Sequence, residues 1–191
     1  MSSMERAGKA RRYLRDYPMY AVIFGIFGFS WFGWAQESPP ESWRILLGIA
    51  SSISFIVACV GGGIAAKHWN TASALNDGKK VYIQFRNVVI PEVLLSFIGG
   101  IGLAALGMAE YIAPYIAFIV GIHFIPLVGV FKDRGLAVLA SLLISSSVVS
   151  VLVSHDIGLT STTVVAIATG ISLFLFALRG LYKVYIYRAE Y

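Results

Sequence analysis

Apolar residues run almost unbroken through six stretches of this chain, and polar residues collect in the short breaks between them. The stretches cover about residues 18–36, 43–66, 87–109, 112–131, 136–154 and 162–182. A helix rises 1.5 Å per residue, so about 20 apolar residues cross the ~30 Å hydrocarbon core of a bilayer. The pattern therefore predicts an all-α fold: one polytopic transmembrane domain over residues 1–191, a bundle of six transmembrane helices. The breaks carry turn chemistry. Ser38-Pro39-Pro40 separates the first two spans, and Asn76-Asp77-Gly78 lies in the longest break, 67–86. Glu110 and Tyr111 leave spans 3 and 4 almost no connection, and Lys132-Asp133-Arg134-Gly135 does the same for spans 4 and 5. Both pairs are expected as antiparallel hairpins.

Composition agrees with a lipid-facing surface. Apolar residues make up 58% of the chain and charged residues 13%, against about a quarter charged in soluble domains. The net charge of +5 does not point to nucleic acid, because the basic residues lie between apolar runs and build no basic face. They read instead as topology signals and headgroup contacts. Of 15 Lys and Arg, all but Arg44 fall at the N-terminus, in the 67–86 and 132–135 breaks, or at the end of span 6 and the tail. The positive-inside rule then puts both termini in the cytoplasm of a multi-pass protein of the cell (inner) membrane. Arg6, Lys9, Arg11, Arg12 and Arg15 precede an apolar run longer than a signal core and without a small-x-small cleavage site, so that run reads as an uncleaved first span. Trp31, Trp34, Trp43, Tyr111 and Tyr115 are expected in an outer aromatic belt, with Tyr13, Tyr17, Trp69, Tyr82, Tyr182 and Tyr185 in an inner one.

Two patterns bear on packing. Ser54, Ala58, Gly62 and Ala66 recur at four-residue spacing in span 2, a stripe that lets helices approach closely or forms a homo-oligomer face. Pro18, Ala21, Gly25 and Ile26 in span 1 recur with identical spacing as Pro114, Ala117, Gly121 and Ile122 in span 4. Four matches leave two explanations open, chance and a 3+3 inverted repeat of the kind many transporters use. Cys59 lies alone in an apolar run and reads as a small buried hydrophobe.

Candidate chemistry is confined to a few polar residues at membrane depth. Glu92 lies six residues past Arg86, ~9 Å in from the cytoplasmic boundary, and His123 lies eight residues before Phe131, ~12 Å in from the same side. An intramembrane carboxylate is costly unless paired, and a carboxylate–histidine pair can hold or move a proton near neutral pH. Pro91 and Pro126 each remove a backbone donor and free a carbonyl one turn earlier, beside these two side chains. Two readings stay open. In the plainer one, Glu92 only tethers helices by pairing with Arg86 or Arg179. In the other, Glu92 and His123 form a polar pocket near the cytoplasmic side, between spans 3, 4 and 6, for a small solute or ion. No nucleophile–base pair, metal-ligand spacing or cofactor motif is visible, and Ser145-Ser146-Ser147 reads as packing and backbone hydrogen bonding. An enzyme is therefore not expected.

The segment Gly121-Ile122-His123-Phe124-Ile125-Pro126-Leu127 resembles a Gly-x-His-Phe-x-Pro-Leu segment of small bacterial multi-pass membrane proteins. The resemblance covers about a tenth of the chain. It implies a compact prokaryotic bundle, draws attention to His123 and Pro126, and implies no activity. The readings carried forward are a small transporter or channel-like protein and, as the alternative, a non-transporting assembly factor, accessory subunit or lipid-contacting scaffold.

Overall fold

The computed structural model describes residues 16–69 and 79–189. The Asn76-Asp77-Gly78 turn, Tyr13 and the N-terminal basic cluster lie outside the described residues. Within them the chain is helical throughout, in six long helices: α1 (Asp16–Trp34), α2 (Arg44–Lys67), α3 (Lys79–Ala105), α4 (Ile112–Phe131), α5 (Gly135–Val153) and α6 (Ser161–Ala189). Short 3-10 turns, Glu41–Trp43 and Ala109–Tyr111, lead into α2 and α4.

Five segments are long and apolar enough to cross a membrane: Glu41–Lys67, Val81–Ala105, Ala109–Phe131, Gly135–Val153 and Ser161–Ile186. The remaining helix, α1, has 19 residues. Its apolar run is diluted by Tyr17, Tyr20, Trp31 and Trp34, whose rings carry polar tips. Ile45, Leu46, Ile49 and Ile56 on α2 and Phe97, Ile98 and Ile101 on α3 are exposed, as expected of an integral membrane protein whose solvent is lipid. Cys59, expected to be buried, is exposed on α2 as well. Its position falls on the helix face turned away from α1.

Packing centres on α6, which lies against α1, α2, α4 and α5, while the main neighbour of α3 is α4. Half of the span of α6 is buried, and none of the span of α3. In a membrane the hydrophobic effect does not drive helices together, so close approach and hydroxyl–carbonyl bonds matter more. The α1–α2 contact uses both. Ser51 Oγ donates to the Phe29 carbonyl (2.9 Å) and Ser54 Oγ to the Gly25 carbonyl (3.1 Å). A Cβ on Gly25 would sit 2.9 Å from Ala58 Cβ, and one on Gly61 would sit 2.8 Å from Ala21 Cβ.

The buried face of α2 therefore runs through Ser54, Ala58, Gly61 and Ala65. The four-residue stripe of the sequence is right for its first two members and drifts off the contact afterwards. Gly62 meets only a Val22 methyl at 3.9 Å, and Ala66 is exposed. The reason is the 3.6-residue turn, which carries a strict i+4 row around the helix.

The α4–α5 hairpin is built similarly. Ser147 Oγ donates to the Pro114 carbonyl (2.6 Å), and a Cβ on Gly121 would sit 2.7 Å from Ile144 Cγ1. Ser146 donates to the Leu143 carbonyl (2.9 Å) and faces Thr169 (3.4 Å), so these two serines pack and bond as expected. Pro18, Ala21 and Gly25 are buried and Ile26 exposed; Pro114, Ala117 and Gly121 are buried and Ile122 exposed. Each glycine lies against the helix that follows it in the chain.

Candidate functional site: a cavity between three helices

Helix α1 is fixed by α2 and α6, and α3 by α4, which leaves a cleft between α1 and α3. A cavity of about 520 Å³ fills it, within the range of about 300–1,000 Å³ typical of small-molecule sites. It is lined by α1 from Tyr20 to Trp34, by α3 from Phe85 to Phe97 and by α4 from Ile116 to Phe131, with Leu136 and Leu173 contributed by α5 and α6. From Tyr20 to Trp34 the helical rise amounts to ~21 Å along the bundle. Aromatic contacts close its back: Tyr20 on Phe131 (ring centroids 5.9 Å apart) and Phe24 on Phe124 (5.7 Å). On the opposite side Ile23 and Phe27 of α1 and Val93 and Phe97 of α3 are exposed, so the cleft opens sideways, between α1 and α3.

Two contacts set the rotation of α3 on α4. Phe85 stacks edge-on against Phe131 (6.0 Å), and the Tyr115 hydroxyl donates to the Leu95 carbonyl (2.9 Å). The Tyr115 ring covers Gly99, where no side chain would fit. This rotation turns Glu92 and Ser96, one helical turn apart, into the cavity.

His123 faces them from α4. Its Nδ1 lies 3.8 Å from Glu92 Oε2, with the His123 side chain 10% exposed and that of Glu92 19%. The Val88 carbonyl also faces the imidazole. At 3.8 Å the two side chains are close enough to interact electrostatically but too far for a good hydrogen bond. Nδ1 of His123 and Oγ of Ser96 are buried with no hydrogen-bond partner. Buried polar atoms are normally satisfied, so both atoms are open to a partner within the cavity. Chemically, the arrangement sets a carboxylate and an imidazole within electrostatic reach of each other and leaves both open to a donor in the cavity.

The structure brings together two of the six residues singled out in the sequence. Glu92 and His123 meet. Pro91 and Pro126 are exposed on the outer sides of α3 and α4, and neither lines the cavity. Arg86 is exposed and has no ion-pair partner among the described residues. Arg179 belongs to a different site. Its guanidinium donates through two nitrogens to Asp133, Nη2 to Oδ1 at 2.7 Å and Nη1 to Oδ2 at 2.9 Å, and Lys183 Nζ adds a third bond at 3.3 Å. The Gly135 N–H donates to Asp133 Oδ1 (2.9 Å). Neither expected partner, Arg86 nor Arg179, tethers Glu92, and the pocket lies mainly against α1, with α6 contributing Leu173 alone.

Asp133 was missed as a functional group because it reads as part of a charged turn. Left-handed Lys132 (φ 52°) ends α4 and reverses the chain, and Asp133 follows it beside the last turns of α6. Burial alone would raise its carboxyl. The bonds from Arg179 and from the Gly135 N–H, with the charges of Lys183 and Arg179, outweigh that and hold it at about 2. The other missed features are Ser96 and the aromatic wall of α1. A Ser four residues after an intramembrane Glu was the available signal.

Among the described residues no cluster of three His, Cys, Asp or Glu could hold a metal ion. Comparison with family models, curated proteins and solved structures gave no match, so the functional reading rests on the geometry of the cavity.

Proposed function

We propose that this chain is a small transporter-like membrane protein that binds a solute between α1, α3 and α4. In this reading it crosses the membrane six times with both termini in the cytoplasm, α1 being the sixth span. One observation carries the solute site: a carboxylate, an imidazole and a hydroxyl converge in a mainly apolar cavity, two of them with unpartnered atoms. The polar atoms of a purely structural cluster are as a rule paired. The matched burial of Pro18, Ala21, Gly25 and Ile26 with Pro114, Ala117, Gly121 and Ile122 supports an inverted repeat relating the two halves.

The topology is tested by labelling single cysteines from outside on a Cys59→Ala background. Positions 38 and 157 should react, and positions 9, 78 and 188 should not. Labelling at 78 from outside would overturn the six-span arrangement. The solute site is tested by filling it. Val120→Trp places an indole into the cavity from α4 and should abolish solute binding without unfolding the bundle.

The second reading is a lipid-contacting scaffold or accessory subunit. The observation in its favour is α3, none of whose span is buried, leaving a face free for lipid, for a partner or for a second copy of the chain. Under that reading Val120→Trp leaves function intact, and substitutions on the outer face of α3, such as Ile98→Arg, are the damaging ones.

A further inference from the structure

We propose, building on the solute-cavity reading, that the cavity selects lipophilic cations: an apolar body seats among the aromatic side chains, and its positive charge lies opposite Glu92. The electrostatics of the lining carry this. Glu92 is the one lining residue with a formal charge apart from titratable His123, and no Lys or Arg is among the lining residues. The bundle's cations near that depth are engaged or turned away. Arg179 and Lys183 are bonded to Asp133, and Arg86 is exposed outside the cavity. An anion entering the cavity would meet a carboxylate with no fixed cation to offset it.

The walls add to the same preference. Tyr20, Phe24, Phe27, Trp31, Phe85 and Phe124 all line the space. Aromatic faces are electron-rich and attract cations, most strongly where water is excluded. The polar atoms left over also fit. Ser96 Oγ and His123 Nδ1, both buried and unpartnered, stand beside Glu92 and can bond to the cation's own N–H groups or to a water travelling with it. Finally, the opening between α1 and α3 is bordered by exposed Ile23, Phe27, Val93 and Phe97. A solute that enters from the bilayer past such a rim is itself soluble in lipid.

The experiment uses the full chain in phosphatidylcholine nanodiscs and three probes of similar body: tetraphenylphosphonium (cation), tetraphenylborate (anion) and triphenylphosphine oxide (neutral). Binding is followed by calorimetry against empty nanodiscs. Tetraphenylphosphonium should bind saturably, at one per chain, and at least tenfold more tightly than either other probe. Glu92→Gln should weaken it at least tenfold and improve tetraphenylborate, while Glu92→Asp keeps the order of the wild type. Val120→Trp should remove the saturable component. Should Glu92→Gln not fold, the ranking of the probes on the wild-type chain decides alone. Equal affinity for tetraphenylborate, or phosphonium binding that ignores Glu92→Gln, overturns cation selection; sensitivity of that binding to Val120→Trp would leave the cavity reading standing. Absence of saturable binding by all three probes overturns both.

Discussion

Two carboxylates of the bundle, Asp133 in the α4–α5 turn and Glu92 within α3, have opposite surroundings. Asp133 accepts hydrogen bonds from Arg179, Lys183 and the Gly135 N–H. Glu92 faces an imidazole at 3.8 Å, in a cavity with two orphan polar atoms. The first carboxylate ties the α4–α5 turn to α6, and its accounting is complete within the chain. The second is incomplete, in a part of the bundle where α3 has no buried residue. A buried carboxylate is costly unless paired, and the two differ in what offsets that cost: fixed cationic partners at Asp133, only an imidazole 3.8 Å away at Glu92.

The comparison can be broken most forcefully at Asp133. Asp133→Asn leaves two cations without their anion in a part-buried site and should destabilise the bundle by about 3 kcal/mol, the upper end for loss of charge-assisted hydrogen bonds. Chemical denaturation in detergent measures it. The same pair has a defined acid limit. The Asp133 carboxyl is held at about 2, below its ordinary 3.8. Its stabilisation is therefore fully present above about pH 4 and is lost as pH falls through about 2. The stability gap between wild type and Asp133→Asn should stay constant from pH 7 to 5 and narrow steadily below 4. A gap that persists unchanged at pH 2 would contradict the assignment.

A smaller effect is expected on the fixed side of the cavity. Gly61 backs onto Ala21, whereas Gly62 has a single methyl at 3.9 Å. Gly61→Leu should cost about 2 kcal/mol by overpacking α1 against α2, with Gly62→Leu within about 0.5 kcal/mol of wild type. Equal losses in the two variants would mean that the α1–α2 contact is not the one described. Smallest of all should be the effect of Glu92→Gln on stability. The amide keeps the shape of the carboxylate and no fixed cation loses its partner, so a change of about 0.5 kcal/mol or less is expected, with solute binding as the property that suffers.

Much of this arrangement was legible in the sequence, and the remainder was hidden for one physical reason. Apolar run length gave six helices, with ends a few residues off where local geometry decides. Span 3 was read to 109, but Gly107 adopts φ +72° and α3 stops at Ala105. Depth along a helix is also legible, since each residue adds a fixed rise. That arithmetic placed Glu92 level with His123 on adjacent helices, and the two side chains do meet. Rotation about the helix axis is not legible in this way, because nearly every face of these spans is apolar. Hence Pro91 and Pro126, close in sequence to the pair, turned out to face away, and Arg179, at a suitable depth, turned out to serve Asp133. The contribution of α1 to the cavity was hidden for the same reason. Aromatic residues at Tyr20, Phe24, Phe27, Trp31 and Trp34 read equally well as lipid-facing.

The contrast between the two carboxylates is measured most directly by a pair of double-mutant cycles on unfolding free energy, Asp133→Asn with Arg179→Gln and Glu92→Gln with His123→Asn. Such cycles isolate the interaction between two side chains from the other effects of each substitution. A coupling of about 2 kcal/mol is expected for Asp133 and Arg179, whose bonds are charged and bidentate. For Glu92 and His123 the coupling should stay below about 0.5 kcal/mol, since a 3.8 Å contact is too long for a good hydrogen bond and contributes little to holding the helices together. Equal coupling in the two cycles would make Glu92 and His123 a structural tether and remove the reason for placing a solute between α1, α3 and α4.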